Sequence, residues 1–292
     1  MPIPVNSACI QCHLNKQIDL VRSLKGEEVA TAFAKDLLRI FLELPEGRDS
    51  SFISPRVADL LHKYCDIPYD RFREEKQQSN AFTLERVPQM QQLIAAAEDP
   101  VYTALQLAIL GNYIDFGALY GKVSFQELEK LLDQAKDIPL PQDSYQQFRK
   151  DLQNAEKFLL ITDNAGEIVF DRVLTETLQK IYPRLSITFL VRGGPAHNDA
   201  TREDAEAVQI PFKVIDSGKA IGGTPLTDIS EEAKAAIADA DVILAKGMGN
   251  TESMYGCGYP VYYAFLIKCV RFQEYFKAPM MSPMFVKDPQ YA

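Results

Sequence analysis

The apolar positions of this chain keep one rhythm in its first half and another in its second. From about residue 9 to residue 155 they recur with a helical period, and no convincing strand interrupts them. In the stretch EEVATAFAKDLLRIFLELP, Val29, Phe33, Leu37, Leu38 and Phe41 fall on one helical face, and Pro45 ends the pattern. SPRVADLLHKYC predicts another helix, with Ser54 as N-cap and Pro55 in the first turn, and DPVYTALQLAILGN repeats the arrangement with Asp99 and Pro100. From about residue 156 short apolar runs, KFLLI, SITFLV, FKVI and DVILAKG, alternate with helical stretches such as EEAKAAIADA. Strands separated by helices predict a mainly parallel sheet with right-handed crossovers in a three-layer sandwich. The fold class is therefore α/β, with an all-helical domain over 1–155 and an α/β domain over 156–292, joined near LPQDSYQQF.

In an open parallel sheet the residues that follow each strand gather along one edge, and ligands bind there. After the first run come Asp163, Asn164, Gly166 and Glu167; after the second, Arg192, Gly193, Gly194, Asn198 and Asp199. Asp216, Ser217 and Gly218 follow the third, and Lys246, Gly247, Gly249 and Asn250 the fourth. Carboxylate and amide oxygens without a cysteine or paired histidine beside them suit a hard cation such as Mg²⁺ or Mn²⁺ rather than zinc. Glycine turns expose backbone N–H groups, and Lys246 adds a point charge, so the same rim suits a phosphate. Each residue also has a plainer role open to it. Asp163 or Asp199 serves equally as a helix N-cap, Glu167 as an acid in a helical first turn, and Lys246 as a solvated surface lysine.

Composition narrows the partners. The chain has 292 residues and a formal charge of −9, with no cluster of Lys and Arg interleaved with aromatics, which argues against nucleic acid. No run of about 18 apolar residues and no basic, apolar leader is present, so the sequence reads as a cytoplasmic protein without a membrane partner. Five cysteines, three of them isolated, argue against a disulfide framework. Cys9 and Cys12, followed by His13, have the spacing of half a zinc site, and on a helix they would lie about one turn apart. Packing, a second metal site and a reversible disulfide all remain open for them.

TDNAGE, VRGGPAHNDATREDA and AKGMGNTES resemble, in order and spacing, the motifs of the metal-dependent damage-control phosphatases, a family long catalogued as a domain of unknown function. DIPYDRFREEKQQSN, AAEDPVYTALQLAILGNYIDFG and the cysteines Cys9 and Cys12 are similar to the microbial branch of that family, so the resemblance covers nearly the whole chain. It implies a helical N-terminal part, a Rossmann-like C-terminal part and one divalent cation (Mn²⁺, Mg²⁺, Co²⁺ or Ni²⁺) at the strand edge. Carried onto this chain, it implies Asp163, Asn164 and Asp199 as metal ligands, and Lys246, Gly247, Met248, Gly249 and Asn250 as the phosphate-holding loop. Lys268 resembles a second phosphate-facing lysine. The arginine and threonine that precede it in the eukaryotic branch are absent, so that branch's sugar-phosphate preference is not carried over. Asn112 and Asp115 either bring the helical half to the site or form a polar helix end packed on the second domain. Lys76 and Asn80 match a further helical motif.

The expected activity is hydrolysis of small phosphorylated metabolites, with Asp163 and Lys246 as catalytic residues and Glu167 beside the phosphate. Water is the expected nucleophile, because Ala165 stands where aspartyl-phosphate enzymes place a second aspartate; a covalent aspartyl-phosphate through Asp163 is the alternative. The alternatives are an S-adenosylmethionine-dependent methyltransferase, which needs a glycine-rich turn after the first strand where DNAGE has one glycine, and a non-catalytic sensor of metal or phosphometabolite.

Overall fold

The computed structural model describes residues 2–115, 124–135 and 138–291. Among them the chain up to residue 155 forms eight α-helices and no strand: α1 (Ser7–Lys25), α2 (Glu27–Leu42), α3 (Ile53–Cys65), α4 (Arg73–Leu84), α5 (Val87–Ala95), α6 (Pro100–Gly111), α7 (Phe125–Asp133) and α8 (Gln142–Asn154). Asp99 caps α6 as expected, accepting from the N–H groups of Val101 and Tyr102 at 3.1 and 3.2 Å. Ser54 does not cap α3. That helix begins one residue earlier, behind a 3-10 turn over Ser50–Phe52 whose cap is Asp49, accepting from Ser51 N–H at 2.9 Å. With the first donors already satisfied there, the Ser54 hydroxyl meets Nε2 of His197 at 2.9 Å instead.

The second half runs β1 (Lys157–Ile161), α9 (Glu167–Ile181), β2 (Ser186–Val191), α10 (Arg202–Ala207), β3 (Lys213–Asp216), α11 (Glu231–Asp239), β4 (Val242–Lys246), α12 (Gly247–Met254), β5 (Val261–Leu266), α13 (Val270–Phe276) and β6 (Pro283–Lys287). The sheet has the order β3-β2-β1-β4-β5-β6, with β6 alone antiparallel. Leu160 pairs with Phe189 on one side and Leu244 on the other. The four expected strands are present, and β5 and β6 join them. VYYAFL is buried at every position, so it lacks the alternation that would mark it as a strand, and β6 is a short edge strand opening at a proline.

Period-two geometry sends alternate residues of β1 to opposite layers. Phe158 and Leu160 enter a core built with α5, α6, α8 and α9, whereas Leu159 and Ile161 enter one built with α11, α12 and α13. The first of these cores runs from Met90 to Phe285, so the change of secondary structure near residue 155 is not a change of core. A third cluster, including Phe33, Leu37, Val57 and Leu61, holds α1, α2 and α3 together. Backbone bonds from Ile3 N–H to the Glu252 carbonyl (2.8 Å) and from Val5 N–H to the Arg48 carbonyl (3.0 Å) tether the start of α1 to the rest of the molecule near α12. Strand order reverses between β1 and β4, which opens a crevice beyond their carboxyl ends.

Candidate active site

The turns that leave β1 and β2 are laced together. Ala200 N–H donates to the Asp163 carbonyl at 2.7 Å, Ala165 N–H to the Asn198 carbonyl at 2.9 Å, and Asn164 and Asp199 form an antiparallel bridge. This brings Asp163, Asn164 and Asp199 together. Neither aspartate caps a helix: Gly166 precedes α9, and Thr201 caps α10 in a capping box with Asp204. Asp163 also leans on the start of α12, where Gly247 has φ +77°, and a Cβ there would lie 1.9 Å from Asp163 Oδ2. Only glycine suits both the backbone and the approach.

Behind the two carboxylates lies Arg192, fully buried. Its Nε donates to Asp199 Oδ2 at 2.6 Å, and its Nη1 to the Gly223 carbonyl and to Asn250 Oδ1 at 2.9 and 3.0 Å. Its Nη2 has no hydrogen-bond partner and lies 3.7 Å from Asp163 Oδ1. Asp163 Oδ2 accepts from Asn112 at 3.0 Å and from Asn164 at 2.8 Å. Burial, then the charges of Asp199 and Glu167, raise the Asp163 pKa well above the usual carboxylate range, and burial raises that of Asp199 despite Arg192.

Lys246 is not where the strand-end pattern placed it. It is completely buried, and its ammonium donates to Glu167 Oε1 (2.8 Å), Asp171 Oδ1 (2.6 Å) and the Ala108 carbonyl (2.8 Å). An ammonium has three donors, so none is left for a phosphate. Burial alone would lower its pKa, but Asp171 and Glu167 outweigh burial and hold it above the ordinary lysine range. Glu167 is likewise turned inward, accepting from Lys246, Asn112 and Asn164. Asn112 spends its amide on Asp163 and Glu167, and its oxygen accepts from Leu266 N–H at 3.0 Å. Asn250 donates to the carbonyls of Thr162 and Lys246 at 2.9 and 2.6 Å. These four side chains form a floor beneath the site and do not contact its hollow.

The hollow is a cavity of about 570 Å³ between the strand tips and α1. Asp115, Asp163, Asn164, Asp199, Met248, Gly249 and Lys268 line it. Lys268 donates to Asp115 Oδ2 at 2.6 Å and to the Asn112 carbonyl at 2.7 Å. Asn80 and Lys76 stand elsewhere: both bond to Asp204, at 3.0 and 2.7 Å, and Asn80 Oδ1 also accepts from Gly166 N–H at 2.6 Å, which steadies the turn. Cys9 and Cys12 line the cavity from α1, Cys9 half-buried and Cys12 exposed. None of the five cysteines forms a disulfide, and among the described residues no group of three His, Cys, Asp or Glu side chains is arranged to hold a metal ion. Sequence reasoning missed Asp171, whose signal was a second acid one helical turn after Glu167 on an otherwise apolar face, and the α1 residues that roof the cavity.

No helix among the described residues is long and apolar enough to cross a membrane. The family described as the damage-control phosphatase ARMT1-like domain matches residues 5–281. An uncharacterized protein of Methanocaldococcus jannaschii is 30% identical over 281 residues, which cover 91% of this chain and 90% of that one. A damage-control phosphatase of Archaeoglobus fulgidus is 27% identical over 271 residues, covering 91% and 92%. The crystal structure of a DUF89-family protein from Pyrococcus horikoshii superimposes with a TM-score of 0.80 at 25% identity, over 97% of this chain and 99% of that one. With the sequence match and the shared fold both spanning nearly its full length, the chain belongs to the damage-control phosphatase ARMT1-like family.

Proposed function

We propose that this protein is a divalent-cation-dependent phosphatase that hydrolyses phosphate monoesters of small metabolites. Its family and its Archaeoglobus relative are both named for damage-control phosphatase activity. The observation that carries the cation is the donor set: two buried carboxylates, each unfavourable to the other, share one hollow with the amide of Asn164. Oxygen donors of this kind fit a hard ion such as Mg²⁺ or Mn²⁺, which would be held by Asp163, Asn164 and Asp199. When bound, such an ion polarises a phosphoryl oxygen and activates water.

The chain's own groups do the rest. Arg192 fixes the orientation of Asp199 and stands behind Asp163, so neither carboxylate must be gathered from solvent. The first-turn N–H groups of α12 have no acceptor within the helix and lie at the cavity beside Met248 and Gly249, where they suit a phosphate oxygen. Lys268 adds positive charge to the cavity wall, steered by Asp115. Water is favoured over an aspartyl-phosphate because Ala165 offers no acid for the second step. A methyltransferase is disfavoured, because the turn after β1 presents carboxylates where a nucleotide-type cofactor needs glycine.

The test is a panel of phosphate esters assayed on chelator-treated protein with Mn²⁺, Mg²⁺, Co²⁺ or Ni²⁺ restored. Turnover should require the cation, and Asp163→Ala should lower it by about a thousandfold, roughly 4 kcal/mol of transition-state stabilisation. Hydrolysis that survives both chelation and Asp163→Ala would overturn the proposal. Cation binding without turnover of any ester would favour the sensor.

A further inference from the structure

Away from the strand tips the cavity continues toward α13, and there it meets an arginine that makes no ion pair among the described residues. Arg271, the second residue of α13, lines the cavity, and its Nε is buried with no hydrogen-bond partner. Its guanidinium carbon lies 5.4 Å from the centre of the Tyr275 ring, a contact that holds it in place without neutralising it. No carboxylate among the described residues pairs with it, and the nearby acid Glu252 is hydrogen-bonded to the Ser50 hydroxyl. Arg271 is half-buried and an arginine cannot shed its proton, so its guanidinium stays charged with the buried Nε–H short of an acceptor.

We propose that Arg271 receives a second anionic group on the substrate, so that the preferred esters carry a carboxylate or further phosphate distant from the ester phosphate. This rests on the Asp163–Asp199 end taking the ester phosphate, as proposed above. Lys268 and Arg271 stand three residues apart on one cavity wall, but Lys268 is already paired with Asp115, which leaves Arg271 as the unspent cation of that wall. Its planar fork matches a carboxylate or phosphate through two parallel bonds. The opposing charge nearby is that of Glu252, weakened by burial. Burial holds the Cys9 and Cys269 thiols up, Cys269 to about 12, and pushes Glu252 up to about 7.

The experiment compares two ester pairs and two non-hydrolysable probes. Wild-type kcat/KM for glycerate 3-phosphate should exceed that for glycerol 3-phosphate by about 10- to 100-fold, the worth of a hydrogen-bonded charge pair. In Arg271→Met that advantage should collapse through a rise in KM, and Arg271→Lys should restore part of it. Calorimetric binding of 3-phosphonopropionate against propylphosphonate, with Mn²⁺ present and absent, reads the same preference without turnover. Equal affinity of the wild type for the two phosphonates, or a preference that survives Arg271→Met, overturns the assignment. A preference for the carboxylated phosphonate without hydrolysis of any ester upholds Arg271 and overturns the phosphatase proposal; hydrolysis of both esters with no preference does the reverse.

Discussion

Two layers of polar side chains meet at the tip of this sheet, and their difference is one of saturation rather than of residue type. In the lower layer Lys246, Glu167, Asp171, Asn112 and Asn250 are all completely buried, and nearly every donor and acceptor is matched. In the upper layer Asp163 and Asp199 are each 7% exposed and turn an oxygen to the cavity, while Arg192 Nη2 lacks a partner. Both layers contain carboxylates, amides and a cation. A buried polar group that is fully satisfied adds structure, whereas one left short at a cavity is available to a ligand.

The largest effect that separates the layers is expected at Lys246. Lys246→Met leaves Glu167 and Asp171 buried without their cation, which should cost about 3–5 kcal/mol of stability. Asp163→Ala, by contrast, removes one member of a repelling pair and should leave the urea midpoint unchanged or raised. Asp171 already shows the lower layer's one shortfall: its Oδ2 has no partner, and burial pushes its pKa up to about 7. A Lys246→Met protein as stable as the wild type but inactive would mean that the two layers have been assigned the wrong way round.

The same contrast marks how far the sequence could be read. Asp163, Asn164 and Asp199 were legible because parallel strands collect their following residues at one edge, whatever the remaining fold. The direction of Lys246 was not legible: it ends β4, and strand spacing does not say whether a side chain there rises into the crevice or drops against α9. Glu167 and Asp171 sit one turn apart on α9, and together they draw it down. Four strands announced themselves by short apolar runs between helical stretches. VYYAFL of β5 did not, because a strand covered on both faces has no period to distinguish it from a buried helix. The roof formed by α1 was invisible for a related reason: the helix was predictable, but its docking depends on backbone bonds from Ile3 and Val5 to distant residues.

Gly247 is the hinge between the layers, since a Cβ on it would run into Asp163 above while Lys246 precedes it below. Gly247→Ala combines a φ of +77° with a Cβ 1.9 Å from Asp163 Oδ2, so the carboxylate must move. A displacement of that kind should lower kcat about a hundredfold. Gly258 has nearly the same φ, +78°, with nothing within 4 Å of its would-be Cβ. Gly258→Ala therefore reports the backbone strain alone, about 1–2 kcal/mol of stability with activity retained. If the two variants lost activity equally, contact with Asp163 would not be the reason for the glycine.

The smallest expected effect tests the roof of the upper layer. His13 lines the cavity from α1 with Nδ1 unpartnered, and burial together with the charge of Lys16 lowers its pKa to about 4. The unfolded chain, with an ordinary histidine near 6.5, takes up a proton first as pH falls. Stability from this site is thus complete above about pH 6.5 and is lost progressively toward pH 4, by at most about 2 kcal/mol at pH 5. His13→Gln should show a smaller drop in urea midpoint between pH 7 and pH 5 than the wild type. Parallel drops would mean that the imidazole already finds a proton acceptor in the folded chain, and that the roof, like the floor, is saturated.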